Sequence, residues 1–276
     1  MPSNKRQKEL ARRRAERQAA RRAVERAKRR KRRLAMALSA LGVLALIGLT
    51  IVIVNATKSD KADPVADPSA SPTASAEPDA FKSFPVACGG KRPEEPKAQK
   101  FDKAPEMTID KAKSYTMTLK TSCGEMVVEL DTAKAPITTN SLHFLAGKKF
   151  YDGSICHRMN DADTFALLQC GDPTGTGAGE LGYTIKEENL EGAKYTRGTI
   201  AMAKTSAPNS TGSQFFIVAK DSQLPPEYTV AGTITKGLDV LDKIIALGTD
   251  GAFEPSPGGG HPKEAVYLEV VTVKES

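Results

Sequence analysis

Tryptophan is absent from this chain, and histidine occurs only at His143, His157 and His261. Three histidines this scattered do not read as a metal cluster. There is no G-x-S-x-G and no H-E-x-x-H, so the serine-hydrolase and zinc-protease chemistries that use those motifs have nothing to act through. The run GAGELG at 177–182 matches a dinucleotide fingerprint by its letters, but no hydrophobic strand precedes it and no helical pattern follows. Neither a metal nor a cofactor is expected. Basic charge is also missing from most of the chain. The net charge is +7 over 276 residues, yet residues 1–33 hold 16 Lys+Arg against 3 Asp+Glu, a net of +13 that leaves −6 for the remainder. The high pI therefore describes a tail and not a domain, and no nucleic-acid partner is expected.

What is present divides into four parts. Residues 1–33 alternate Arg/Lys blocks with Ala and Glu, a composition suited to a solvated helix. Residues 34–54 are 21 positions without a charge. At ~1.5 Å per residue they form a helix of about 31 Å, which matches a hydrocarbon core of about 30 Å. Charge bias keeps the basic tail in the cytoplasm and sends the C-terminal part outward. The competing reading is a signal peptide cleaved near Val54-Asn55-Ala56, although an h-region usually has about 7–15 residues. An uncleaved, single-pass anchor in the cytoplasmic membrane is the expectation. Residues 55–110 form a linker, with Pro64, Pro68, Pro72, Pro78 and Pro85 among Ala, Ser and Asp, and residues 86–110 are a lead-in lying on the domain surface. Residues 111–276 are the folded domain.

Within that domain, residues 114–121 and 125–131 read as a β-hairpin. Pro136 opens a helix that Gly147 can stop. Residues 154–159, 165–170, 183–185, 199–203, 215–219, 230–234 and 265–273 read as strands, and 237–247 as a second helix with Leu238, Leu241, Ile244, Ile245 and Leu247 as its apolar set. The fold class is mainly β: a closed eight-stranded antiparallel barrel capped by two helices, preceded by a transmembrane helix. Four cysteines outside the membrane favour disulfides. Cys156 and Cys170 fall on consecutive strands, which favours Cys156–Cys170 with Cys88–Cys123. Reduced, buried thiols are the alternative.

The chemistry gathers around RGTIAMAKTSAPNSTGSQFFI at 197–217, where two short apolar runs bracket a loop of small polar residues. Glycine and small side chains there let backbone approach a bound chain, Gln214 offers both amide donor and acceptor, and Phe216 shares the Gln214 face of a strand. Taken with FYDGSICHRMN (150–160), LLQCGDP (167–173), GTG (175–177) and LPPEYTVAGTI (224–234), this ordered series resembles the cyclophilin-type peptidyl-prolyl cis-trans isomerases. It is most similar to their membrane-anchored or secreted bacterial members, over roughly residues 115–273.

The resemblance implies an enzyme without cofactor, the catalytic Arg at Arg158 and the groove Gln at Gln169. It places substrate-binding side chains at Gln214, Phe216 and Leu224. The family's groove His corresponds to Tyr228, and its Ala-Asn pair to Ala203-Lys204. Ten residues separate Arg158 from Gln169, more than the family usually has, so its pocket aromatic corresponds to Phe165, with Leu167 nearby. The common Trp corresponds to Gln223, which weighs against tight cyclosporin binding more than against catalysis. By the same resemblance, the partners are Xaa-Pro segments of unfolded or secreted proteins, bound by a monomer held at the membrane through residues 34–54. A Pro-peptide-binding module without turnover is the alternative.

Overall fold

The computed structural model describes residues 80–276, save 98, 164 and 255–257. Strands β1 (Tyr115–Thr121) and β2 (Gly124–Leu130) form the first hairpin. Tyr115, Met117 and Leu119 alternate inward on β1, and Met126, Val128 and Leu130 on β2. This period-two pattern fixes the register, because a one-residue slip would turn every buried side chain to water. Helix α1 (Pro136–Gly147) follows. Proline occupies its first turn, where the missing N–H costs nothing. Its start is satisfied from a distant loop, since the Glu188 carboxylate accepts from Ile137 N, Thr138 N and the Thr138 hydroxyl.

Next come β3 (Ser154–Ile155), β4 (Arg158–Ala162), β5 (Phe165–Cys170), β6 (Thr199–Met202), β7 (Phe215–Val218) and β8 (Val230–Lys236). Helix α2 (Leu238–Ile245) and β9 (Tyr267–Glu275) complete the chain. Val240, Leu241 and Ile244 are the face of α2 that is buried in the core.

The nine strands among the described residues belong to one sheet, in the order β3-β9-β1-β2-β8-β6-β7-β5-β4. The sheet is open and curled into a half-barrel, with edges 9 Å apart. This corrects the closed eight-stranded barrel expected from the sequence. The expected strand at 154–159 is split at Cys156-His157 into β3 and β4, and these two pieces are the sheet's two edges. β3 pairs with β9. The outer edge of β4 is taken by a loop instead: Met159 N donates to Gly260 O at 2.7 Å, and Gly260 N to Met159 O at 2.9 Å. Gly259 permits that approach, since at its φ of +80° a side chain would run into the Met159 carbonyl. The expected strand at 183–185 is reduced to a single bridge, Ile185 to Thr211.

Among the described residues no helix is long and apolar enough to cross a membrane. The tail at 1–33, the expected transmembrane helix at 34–54 and residues 55–79 of the linker lie outside the described residues. From Pro85 onward the chain packs on the sheet. Ala87 N donates to Ala265 O, Ala265 N to Pro85 O, and Cys88 is joined to Cys123 in the turn between β1 and β2. Farther along, the Phe101 ring sits 5.0 Å from Phe144, Asn140 Nδ2 donates to Glu106 O, and Ile109 is buried.

Buried apolar side chains separate into a main core and a smaller cluster. The core holds Met117, Leu119, Met159, Leu168, Phe215 and Ile217. The smaller cluster lies on the other face of β5, β6 and β7 and holds Leu167, Tyr195, Ala201, Phe216 and Val218.

Candidate active site

Neighbouring residues on a strand face opposite ways. Since Met159, Leu168, Ile217 and Ile200 point into the core, their neighbours must point out. The register then lines up one row across four strands: Arg158 on β4 opposite Gln169 on β5, Gln169 opposite Phe216 on β7, and Phe216 opposite Ala201 on β6. A fixed cation, an amide, an aromatic ring and a small floor residue thus lie side by side on the outer face.

Hydrogen bonds hold this row. Arg158 Nη1 donates to Gln169 Oε1 at 3.3 Å, Gln169 Nε2 to Gln214 Oε1 at 2.9 Å, and Gln214 Nε2 to Gly177 O at 2.8 Å. The loop carrying Gly177 is itself fixed by buried Asp172, which accepts from Thr174 N and Oγ1 and from Gly179 N. On its other side, Arg158 donates from Nε and Nη2 to Gly258 O at 3.2 and 3.1 Å. Planar donors at both edges keep the guanidinium in one orientation. Burial lowers its pKa from the ordinary value, against Tyr228 and Glu254, which raise it. An arginine nonetheless stays protonated at neutral pH.

The row floors a groove of about 530 Å³. Of the side chains singled out in the sequence, Arg158, Phe165, Leu167, Gln169, Ala203, Lys204, Phe216, Leu224 and Tyr228 line it. Phe165 and Leu167 both face it, from one strand at a two-residue spacing. Gln214 lines an adjoining cavity and reaches the groove through Gln169. Gln223 does not line the groove. Cys156 and Cys170 form a disulfide in the core, Cys156 two residues before Arg158 and Cys170 directly after Gln169, and Cys88–Cys123 lies in the first hairpin turn. Among the described residues no three His, Cys, Asp or Glu side chains come together as a metal site.

Tyr195, packed behind the groove, and Phe253, which lines it, carried no signal in the sequence. Tyr195 packs 6.5 Å from the Phe216 ring. Its hydroxyl accepts from Tyr228 N at 3.0 Å and donates to Tyr228 O at 2.9 Å, which holds the Tyr228 ring edge-on, 5.5 Å from Phe216. A tyrosine amid lysine and arginine, outside any periodic run, does not stand out. Phe253 lines the groove, and its carbonyl accepts from Gly258 N at 3.0 Å. His157 also borders it, but is buried. Its pKa falls to about 4 through burial, opposed by Asp172 and reinforced by Arg158 and His261.

Such an arrangement binds a flat apolar ring on Phe216 and presents a charge-assisted donor beside it. The row Arg158, Gln169, Phe216 and Ala201 holds no nucleophilic side chain, so the chemistry it suits is stabilisation of a polarised, noncovalent transition state.

Residues 116–271 match the family described as cyclophilin type peptidyl-prolyl cis-trans isomerase/CLD. A protein of Mycobacterium tuberculosis (strain H37Rv) called probable peptidyl-prolyl cis-trans isomerase B is 39% identical over 171 residues, covering 57% of this chain and 53% of that protein. Peptidyl-prolyl cis-trans isomerase B of Escherichia coli (strain K12) is 34% identical over 170 residues, 58% of this chain and 99% of that one. A crystal structure of a Cryptosporidium parvum cyclophilin type peptidyl-prolyl cis-trans isomerase is similar with a TM-score of 0.51 at 25% identity, covering 59% of this chain and 99% of the other. The chain spans about half the length of the mycobacterial relatives it matches.

Proposed function

This chain belongs to the cyclophilin-type peptidyl-prolyl cis-trans isomerases, and on that premise we propose that it accelerates rotation about Xaa-Pro bonds in unfolded or newly exported proteins. Rotation about a peptide bond faces a barrier of about 18–20 kcal/mol because the nitrogen lone pair is delocalised into the carbonyl. In Xaa-Pro segments both isomers are populated and exchange over tens to hundreds of seconds. In the twisted state the lone pair returns to the prolyl nitrogen.

Phe216, Leu224, Leu167 and Phe165 hold the pyrrolidine ring, with Tyr228 as a wall and Ala203-Lys204 beside the substrate backbone. Arg158 donates toward the prolyl nitrogen as its lone pair localises, and Gln169 sets the direction of that donor. An interaction that grows as the bond twists lowers the barrier, whereas one equal in both states only tightens binding. The observation that carries this reading is the Arg158–Gln169–Phe216 row, one donor and one ring lining the same groove.

The test is isomerisation of a short Xaa-Pro peptide by the full chain. A rate gain is expected, and Arg158→Ala lowers it about 100-fold or more, as removal of a preorganised transition-state donor does elsewhere. A groove that binds the peptide with no gain, or a gain that Arg158→Ala leaves intact, returns the domain to a binding module. Gln223, Lys204 and Tyr228, which stand where the resemblance places other side chains, keep that second reading in view.

The place of action is proposed to be outside the cytoplasmic membrane, with residues 34–54 as the attachment, residues 1–33 inside and a monomeric domain at 111–276 beyond the linker. Two disulfides support an oxidising compartment. The charge-free run after a +13 tail supports the orientation. Protease added to intact protoplasts should remove the domain and spare the tail.

A further inference from the structure

Tyr195 is buried just before β6, only 2% exposed, and it holds one stretch of chain at both ends. Its carbonyl accepts from Ser222 N at 2.9 Å, in an isolated antiparallel bridge. Its hydroxyl accepts from Tyr228 N and gives its proton to Tyr228 O, so both bonds are spent on a single residue. The Tyr228 main chain makes no other hydrogen bond among the described residues.

Between those two anchors Gln223, Pro225, Pro226 and Glu227 are exposed, while Leu224 and Tyr228 are half-buried and line the groove. Pro225 and Pro226 have no N–H to give. Inside the stretch the main chain bonds to itself from Glu227 N to Pro225 O at 2.7 Å. That single bond does not set the shape of the stretch, and the place of two groove walls is fixed from Tyr195. The rings agree with this. Tyr195 lies 6.5 Å from Phe216 and 6.1 Å from Tyr228, behind the two rings that line the groove, and does not line it itself. Arg158 and Gln169 are held separately, by Gly258 and Gln214. Tyr195 enters none of those bonds.

We infer that Tyr195 is a positioning residue for the isomerisation, acting through Tyr228 to hold the wall of the proline pocket against Phe216. The inference rests on the proposed reading of the groove as a proline site. Phe at position 195 would keep the ring stack and remove the hydroxyl alone. Tyr228 N and O would then be left to seek water, and the wall would move while the Arg158 donor stayed in place.

The experiment measures isomerisation of an Xaa-Pro peptide, and its binding by fluorescence anisotropy, with the full chain and with Tyr195→Phe, Tyr228→Ala and the double variant. Circular dichroism checks that each keeps the native spectrum. In Tyr195→Phe, KM and Kd should rise about 3- to 10-fold with kcat within about 2-fold, as when binding common to the ground and transition states is lost. Added to Tyr228→Ala, the same change should move KM by less than about 2-fold, because the side chain that it positions is gone. An unchanged KM in Tyr195→Phe, or an equal loss with and without the Tyr228 side chain, overturns the inference. So does a fall in kcat with KM intact, which is what a loosened fold would give. Weaker peptide binding by Tyr195→Phe, absent in the Tyr228→Ala background and with no turnover by any variant, upholds it while removing the isomerase reading. Absence of peptide binding by the native chain removes the two together.

Discussion

His157 shows how one side chain can border a groove without working in it. It is buried beside Gly177, where a methyl group would already touch its ring, and its Nδ1 has no hydrogen-bond partner among the described residues. An unfolded imidazole titrates near 6.5, whereas in the fold the value is about 4. The unfolded state therefore takes up the proton first. Stability is whole above about pH 6.5 and is lost as the pH falls toward 4, by about 3 kcal/mol in all. Urea unfolding at neutral pH and near pH 4.5 should show that loss in the native chain and a smaller one in His157→Gln. If both lose the same amount, burial of His157 is not the cause. Gln214 and Phe216 stood out in the sequence because their small-residue loop and paired strands are local. Tyr195 did not, because its role depends on the backbone of Tyr228, thirty-three positions away, and nothing in the intervening sequence encodes that approach.

At the level of elements, the two disulfides separate stability from activity. Cys88–Cys123 ties the lead-in to the first hairpin across 35 residues, and Cys156–Cys170 ties β5 to the junction of β3 and β4 across 14. Each should contribute about 2–4 kcal/mol by restricting the unfolded chain. Only the second flanks Arg158 and Gln169. Replacing Cys156 and Cys170 by Ala should therefore lower both the melting temperature and kcat, while replacing Cys88 and Cys123 lowers the melting temperature alone. Equal kcat in the two variants would separate the core disulfide from the site. The hairpins were legible because alternation of buried and exposed residues survives in the letters, as in Met117, Leu119, Met126 and Val128. The open edge was not. β4 is capped by main-chain atoms of Gly260, and a main-chain partner leaves no side-chain pattern to read.

For the molecule as a whole, the lead-in belongs to the stability of the domain. Without residues 80–110, Phe144 and Phe150 lose the Phe101 ring, the Asn140 amide loses Glu106 and Thr108, and Cys123 loses its partner. A chain beginning at residue 111 should melt about 10 °C or more below one beginning at residue 80, as measured by circular dichroism. Matching melting curves would show the segment to be a passive wrapping. Composition alone made it look like linker, since lysine and proline dominate it. Three apolar anchors, Ala87, Phe101 and Ile109, are too widely spaced to form a periodic signal.

The two hydrogen bonds between Met159 and Gly260 have a further consequence. They form a short seam where a full ladder would otherwise run, and Gly258, two residues before Gly260, grips the guanidinium of Arg158. Warming should part such a seam before it melts the sheet. The enzyme would then fall silent while its spectrum still looked native, and would recover on cooling.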